Sequence, residues 1–279
     1  MTQILGSTVL VTGGGSGIGR LMGLRSLQKQ AKRLVVWDIN PQSLDEVAAE
    51  ARALGFAIYP YQVDVADPTA VQATANRVIA EVGVPDILIN NAGIVAGKTF
   101  LEHSDTDIQQ TLGINTMGPM LVCRAFLPAI VARGSGHIVN IASAAGLLPN
   151  PRMSVYAASK WALLGWSESL RLELEALGKQ LHVTTVTPSY IDTGMFAGVK
   201  APLLTPILKP ADITEDILKA VEENKVILRK PAIVHLLPLL RGILPARLFD
   251  RVVGRGFNVY TSMDQFTGRP LPAAVPETK

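Results

Sequence analysis

Thr12-Gly13-Gly14-Gly15-Ser16-Gly17-Ile18-Gly19 lies directly after the apolar run Thr8–Thr12 and opens a helix-length segment ending near Lys29. Glycine at 13, 17 and 19 suits a tight turn, a close approach of bare backbone to a phosphate, and close packing of helix on strand. The helix start behind the loop offers free N–H groups and the positive end of a dipole to a pyrophosphate. A glycine-rich loop alone is weak evidence, and its place between strand and helix is what gives it meaning. Gly13, Gly15, Ser16, Gly17, Ile18 and Gly19 are therefore the expected dinucleotide loop.

Working outward, strand-length apolar runs alternate with helical segments. Strands are expected at Leu34–Trp37, Ile58–Val63, Asp86–Asn90, His137–Ile141 and His182–Thr187, with a possible seventh at Val226–Leu228. Helices are expected from Pro41 to Leu54, Pro68–Val82 and Met153–Leu177, with a long helical region before His137. Alternation of this kind implies an α/β fold, a doubly wound parallel sheet of Rossmann type with helices on both faces. No repeat or linker divides the chain. One catalytic domain is expected over 1–279, with 194–279 serving as a substrate flap and a hydrophobic, basic C-terminal extension.

Asp38 ends the second expected strand, 19 residues beyond Gly19. A carboxylate there accepts hydrogen bonds from the adenosine ribose and repels a 2′-phosphate, so the expected cofactor is NAD. Asn40, directly before Pro41, fits the N-cap of the next helix better than Asp38 does. Further along, Ser143 precedes Tyr156-Ala157-Ala158-Ser159-Lys160. Residues i and i+4 share a helical face, so a phenol and an ammonium stand together. Free tyrosine has a pKa of about 10, and a cation one turn away should favour its phenolate. A serine hydroxyl nearby can orient a substrate oxygen.

These motifs resemble the short-chain dehydrogenase/reductase family, over about residues 5–195. The glycine loop matches that family's TGxxxGxG. Asp64-Val65 resembles the pair whose acid meets the adenine ring, and Asn90-Asn91-Ala92-Gly93 the NNAG element lining the cofactor. Pro188-Ser189-Tyr190-Ile191-Asp192-Thr193 resembles the segment beside the nicotinamide, with Ser189 where glycine is usual. The resemblance implies a catalytic tetrad of Asn115, Ser143, Tyr156 and Lys160. Lys160 would also hold the nicotinamide ribose, and Asn115 a water leading to solvent. It implies cofactor contacts from Asp64, Val65, Asn91, Ala92, Gly93, Pro188, Ile191 and Thr193, besides Tyr156 and Lys160. Val35–Asn40, Gly136–Val139 and the tail resemble the retinol and 17β-hydroxysteroid dehydrogenase branch, whose members act on lipophilic alcohols. A homodimer or homotetramer is expected, paired through the helix of Tyr156, which carries Ala162, Leu163, Leu170 and Leu174.

Ala145, Leu147, Leu148, Met153, Met195 and Phe196 are the expected substrate residues, joined by a flap after Thr193, and they suit a small hydrophobic alcohol or ketone. An NADP-dependent carbonyl or β-ketoacyl reductase shares the tetrad, and an idle NAD-binding or membrane-recruitment scaffold would share the fold. Residues 225–255 carry seven basic side chains against Asp250, interleaved with leucines. That composition suits either a membrane-surface segment or helices packed on the domain. Packing is the expected outcome, with the tail closing one side of the pocket.

The net charge of +3 and the lack of aromatic-interleaved basic stretches argue against nucleic acid. Cys123 is the only cysteine, which excludes an internal disulfide, and the four histidines show no metal-ligand spacing. The first residues do not read as a signal peptide, and no run of ~18 consecutive apolar residues stands out as a membrane span. A cytoplasmic protein, peripheral to a membrane at most, is the expectation.

Overall fold

A computed structural model of the chain describes residues 1–268. The expected strands form one seven-stranded sheet, all neighbours parallel: β1 (Thr8–Thr12), β2 (Arg33–Asp38), β3 (Ile58–Gln62), β4 (Ile87–Asn90), β5 (Ser135–Ile141), β6 (Gln180–Pro188) and β7 (Ile227–Lys230). Their order is β3-β2-β1-β4-β5-β6-β7. The order reverses between β1 and β4, which opens a crevice at the carboxyl ends of those strands, where open α/β sheets bind ligands.

Strand alternation sends side chains to two cores. Val9, Val11, Leu34 and Val36 meet α1 (Gly17–Gln28), α2 (Pro41–Ala53) and α7 (Pro210–Glu222). Leu10, Val35 and Trp37 meet α3 (Pro68–Glu81), α5 (Gly118–Arg133) and α6 (Ser154–Glu175) on the other face. Strands covered on both faces read as continuous apolar runs, as β1 and β2 do. Asn40 caps α2, its side chain accepting from the Gln42 and Ser43 N–H groups.

Two elements depart from the sequence reading. Helix α7 was not anticipated, because Pro202, Pro206 and Pro210 make its approach look like broken loop. The region before β5 is α4 (Asp105–Leu112) and α5 joined by a π-helical turn, Gly113–Met117. Together Asp105–Arg133 is long and apolar enough by length and composition to cross a membrane, unlike what the search for consecutive apolar residues suggested. Here Val122, Cys123, Phe126 and Ile130 of α5 lie in the core beneath the sheet. Burial holds the Cys123 thiol up at about 12, so it behaves as a small apolar side chain.

After β7 the chain forms α8 (Leu237–Ile243), α9 (Ala246–Phe249) and a π-helical turn, Asp250–Gly256. Val234, Leu237, Phe249 and Val253 pack on Ala144 and Leu148, so the tail does lie on the domain. The expected extension continues to 279, and its part beyond 268 lies outside the described residues. Residues 257–268 cross the 194–205 flap: Lys200 N–H donates to Ser262 O at 3.0 Å, Leu203 N–H to Phe257 O at 2.8 Å and Thr267 N–H to Ala197 O at 2.9 Å. Phe266 lies so close over Gly97 that a β-carbon there would be 2.0 Å from its ring.

Candidate active site

The crevice begins at the glycine loop. Gly13 and Gly17 have φ of +62° and +56°, in the left-handed region where a side chain is strained. A β-carbon on Gly13 would stand 2.8 Å from Ala92 Cα, and one on Gly19 2.2 Å from the Gly13 carbonyl oxygen. The loop is thus packed against the segment after β4, and Asn91 fastens the contact: its Nδ2 donates to Thr12 O and Gly13 O at 3.0 and 3.1 Å. Gly13, Ser16, Gly17 and Ile18 line the crevice. Gly15 and Gly19 do not line it, and both act through packing instead.

Asp38 sits on the crevice wall at the end of β2. Its Oδ2 accepts the Gly15 N–H at 2.9 Å and its Oδ1 the Asn40 N–H at 3.0 Å. Arg20, the basic residue nearest the loop, is committed elsewhere, with Nη2 2.6 Å from Glu50 and Nη1 3.5 Å from Glu46. Asp64, Val65, Asn91, Ala92, Gly93, Pro188, Ile191 and Thr193 all line the same crevice, as do Ser143, Tyr156, Lys160, Met195 and Phe196.

Tyr156 and Lys160 are both buried on α6. Lys160 Nζ donates to Ile141 O at the end of β5, at 2.9 Å, and lies 5.7 Å from the Tyr156 ring centre. Burial lowers the lysine to about 8. Tyr156 is pushed up to about 12 by burial, opposed by its hydrogen bond with Ser143. The expected lowering of the phenol by Lys160 is therefore outweighed in this state, because desolvation penalises the phenolate more than the neighbours stabilise it. Ser143 caps the turn after β5, its Oγ accepting the Ala145 N–H at 3.1 Å.

Asn115 does not line the crevice. It is fully buried in the π-helical turn, and such turns frequently mark functional sites. Its Oδ1 accepts the Ile94 N–H at 2.9 Å, while its Nδ2 donates to Ile94 O and to Ser159 Oγ at 2.9 and 3.1 Å. Its side chain is saturated, and it clamps the loop after β4 to α6 beside Lys160.

A second, strongly apolar pocket adjoins the crevice. Ser143, Ser189 and Phe196 line both. Ala145, Leu148 and Met153 line this pocket as expected. Leu147 does not: it packs both with Leu163 and Leu164 and on the cluster of Leu148, Val234 and Leu237, and its carbonyl accepts from Arg241 at 3.2 Å. The far wall is Ile233, Leu236, Leu237, Leu240, Val253 and Phe257 from the tail, residues that the sequence did not single out one by one. Arg241 also stacks on Trp161 at 3.9 Å, tying α8 to α6. Tyr190, Asn150 and Ser262 form a buried polar knot in the same wall, with Tyr190 Oη 2.8 Å from Ser262 Oγ and 2.9 Å from the Asn150 amide. Ser189 Oγ is buried without a partner.

A family model described as short chain dehydrogenase matches residues 7–203. The chain belongs to the short chain dehydrogenase family. It is an NAD(P)-dependent oxidoreductase. This short chain dehydrogenase is 37% identical to epidermal retinol dehydrogenase 2 of Mus musculus, over 96% of the chain and 87% of that protein. It is 35% identical to estradiol 17-beta-dehydrogenase 11 of Rattus norvegicus, over 92% and 86%. In fold it is similar to a short chain dehydrogenase/reductase from Burkholderia phymatum solved in complex with NAD, with a TM-score of 0.77 and 26% identity over 98% of this chain and 100% of that one.

Proposed function

We propose that this dehydrogenase uses NAD to interconvert a hydrophobic secondary alcohol and its ketone, of steroid-, retinoid- or aryl-alkyl-like size. The observation that carries the proposal is the junction at Ser143, where the crevice holding Tyr156 and Lys160 meets a pocket walled almost entirely by apolar side chains. The named retinol and estradiol dehydrogenases, and the NAD complex of similar fold, support it.

The loop from Gly13 to Gly19 fits a pyrophosphate, since side chains at Gly13 and Gly19 would destroy it. The Asp38 carboxylate fits a ribose diol and repels a 2′-phosphate, and Arg20, held by Glu46 and Glu50, offers no compensating cation. NAD therefore suits this chain better than NADP, against the reading as an NADP-dependent ketoreductase. When bound, the nicotinamide supplies or accepts the hydride.

The chain's own groups manage the proton. Tyr156, neutral with its pKa near 12, is set to donate to a carbonyl oxygen in reduction. In oxidation the phenol must give up its proton before it can take one from the alcohol. Lys160 one turn away and the positive charge of an oxidised nicotinamide both favour that ionisation. Ser143 Oγ orients the substrate oxygen. Asn115 positions the loop after β4 and α6 around Lys160.

Screening steroid, retinoid, aliphatic and aryl alcohols with NAD, by absorbance of the reduced cofactor, tests this. Turnover of lipophilic secondary alcohols is expected. Activity confined to NADP and thioester substrates would overturn the proposal.

A further inference from the structure

One side of the tail is spent on the domain, and the other is not. Leu237 turns inward at the start of α8, while Leu236 just before the helix and Leu239 and Ile243 on it stand 46%, 57% and 69% exposed. Their spacing of three and four residues makes a single outward stripe. Leu248 and Val252 extend it along the next segment, and Leu203, Leu204 and Ile207 face solvent from the flap. Leu203 and Leu236 also line the apolar pocket, so they belong to its rim and to the surface at once. Leu203 and Leu236 set exposed apolar surface at the pocket mouth, and exposed leucines grouped in this way form the kind of patch that marks an interaction site.

This segment is rich in cations, with Arg247, Arg251 and Arg255 against the single acid Asp250. Arg247, Arg251 and Arg255 are exposed at spacings of four, and no ion pair holds them among the described residues. The nearest acid in sequence, Asp250, is occupied by the Tyr260 hydroxyl. Lys200 and Lys209 flank the flap residues and are exposed too. Leucine interleaved with unpaired arginine matches the acyl boundary and the negative headgroups of an anionic lipid surface. A second copy of this chain would bring the same arginines against their equals, which disfavours self-pairing here.

We propose that this face docks on anionic lipid surfaces and sets the mouth of the apolar pocket against the acyl region. A lipophilic alcohol then enters from the lipid without crossing water. The docking stands on its own observations, and the entry route rests on the function proposed above.

The test is flotation with phosphatidylcholine vesicles, with and without phosphatidylserine, across a salt series. The full chain is compared with Leu239→Ser/Ile243→Ser and with Arg247→Glu/Arg251→Glu. Retention only with phosphatidylserine, falling with salt, is expected. Neutralising a basic residue near such a surface costs about fivefold in binding, so the charge-reversed pair should lose at least roughly 25-fold. The leucine pair should also fail to float. Both variants should keep wild-type melting temperature and turnover of a short water-soluble alcohol, because these side chains face away from the cores and Tyr156. They should lose any rate gain seen when a lipophilic alcohol is supplied inside vesicles. Absence of flotation by the wild type, or equal flotation of the variants, would overturn the docking. So would a dimer that the leucine substitutions dissociate. Flotation without turnover of any lipophilic alcohol would sink the proposed function and leave the docking intact.

Discussion

Asp38→Ser is expected to reverse the cofactor preference, and the structure sets the size of the effect. Each Asp38 oxygen takes one backbone N–H, from Gly15 at 2.9 Å and from Asn40 at 3.0 Å. A carboxylate oxygen has about two acceptor positions, so roughly one per oxygen is left for a ribose hydroxyl. Two hydrogen bonds to a charged group contribute about 1.5–3 kcal/mol each, and a serine hydroxyl returns about 1 kcal/mol. The net loss of about 2–5 kcal/mol corresponds to a roughly 30- to 5,000-fold weaker hold on NAD. NADP should improve, since the charge that repels its phosphate is gone. The gain is limited while Glu46 and Glu50 hold Arg20. Adding Glu50→Gln should therefore raise NADP efficiency again and leave NAD nearly unchanged. The assay is kcat/KM for each cofactor, with dissociation constants from protein fluorescence. An unchanged ratio in Asp38→Ser would mean that Asp38 does not face the ribose. No further gain from Glu50→Gln would refute the account of Arg20.

Tyr156→Phe should lower turnover by ~10² to 10⁴ while NAD binding persists, because only a transferable proton is removed; wild-type turnover in the variant would refute the assignment. Burial lowers folded Lys160 to about 8 from the ordinary lysine value of 10.5, so between these pH values the unfolded chain binds more protons at this site and its contribution to stability should rise with pH. Melting curves across that window should show the rise in wild type and its loss in Lys160→Met, and parallel curves would contradict the depressed lysine. A homodimer or homotetramer is expected by light scattering at micromolar concentration, and a strictly monomeric mass would refute it. Of the apolar set that suggested pairing, Leu163, Leu170 and Leu174 are buried in their own chain, and Ala162 is exposed on α6 together with Ala158, Trp161, Gly165 and Leu172.

Much of the cofactor half was legible because its signals are local. Glycine spacing, strand runs and the i, i+4 pair of Tyr156 and Lys160 each lie within a few residues, and backbone geometry alone places them. The substrate half was not legible to the same degree. Its far wall comes from residues 233–257, about 90 positions from Leu148, and no local pattern announces such a contact. Leu147 and Leu148 show the limit within one turn. Both are apolar neighbours that pack on the same cluster, yet only Leu148 reaches the pocket. The sequence shows the cation near the phenol but not the depth of burial, which raises Tyr156 in this structure. Helix α7 was hidden by the prolines before it, although Pro210 opens it at a position that tolerates a missing N–H.

The family match ends at residue 203, at the lip of the apolar pocket whose opposite wall is built from the tail. One wall of the apolar pocket thus lies in the stretch that also carries Tyr156 and Lys160, and the other in a stretch that follows it. The tail reaches the earlier part mainly through the Arg241 stack on Trp161, the Ser262 knot with Tyr190 and Asn150, and Phe266 resting on Gly97. A chimera that keeps those four anchor points and exchanges the rest after residue 203 should inherit the donor's substrate range while leaving the cofactor unchanged. Grafts that ignore Gly97 or Trp161 should misfit, however similar their helices.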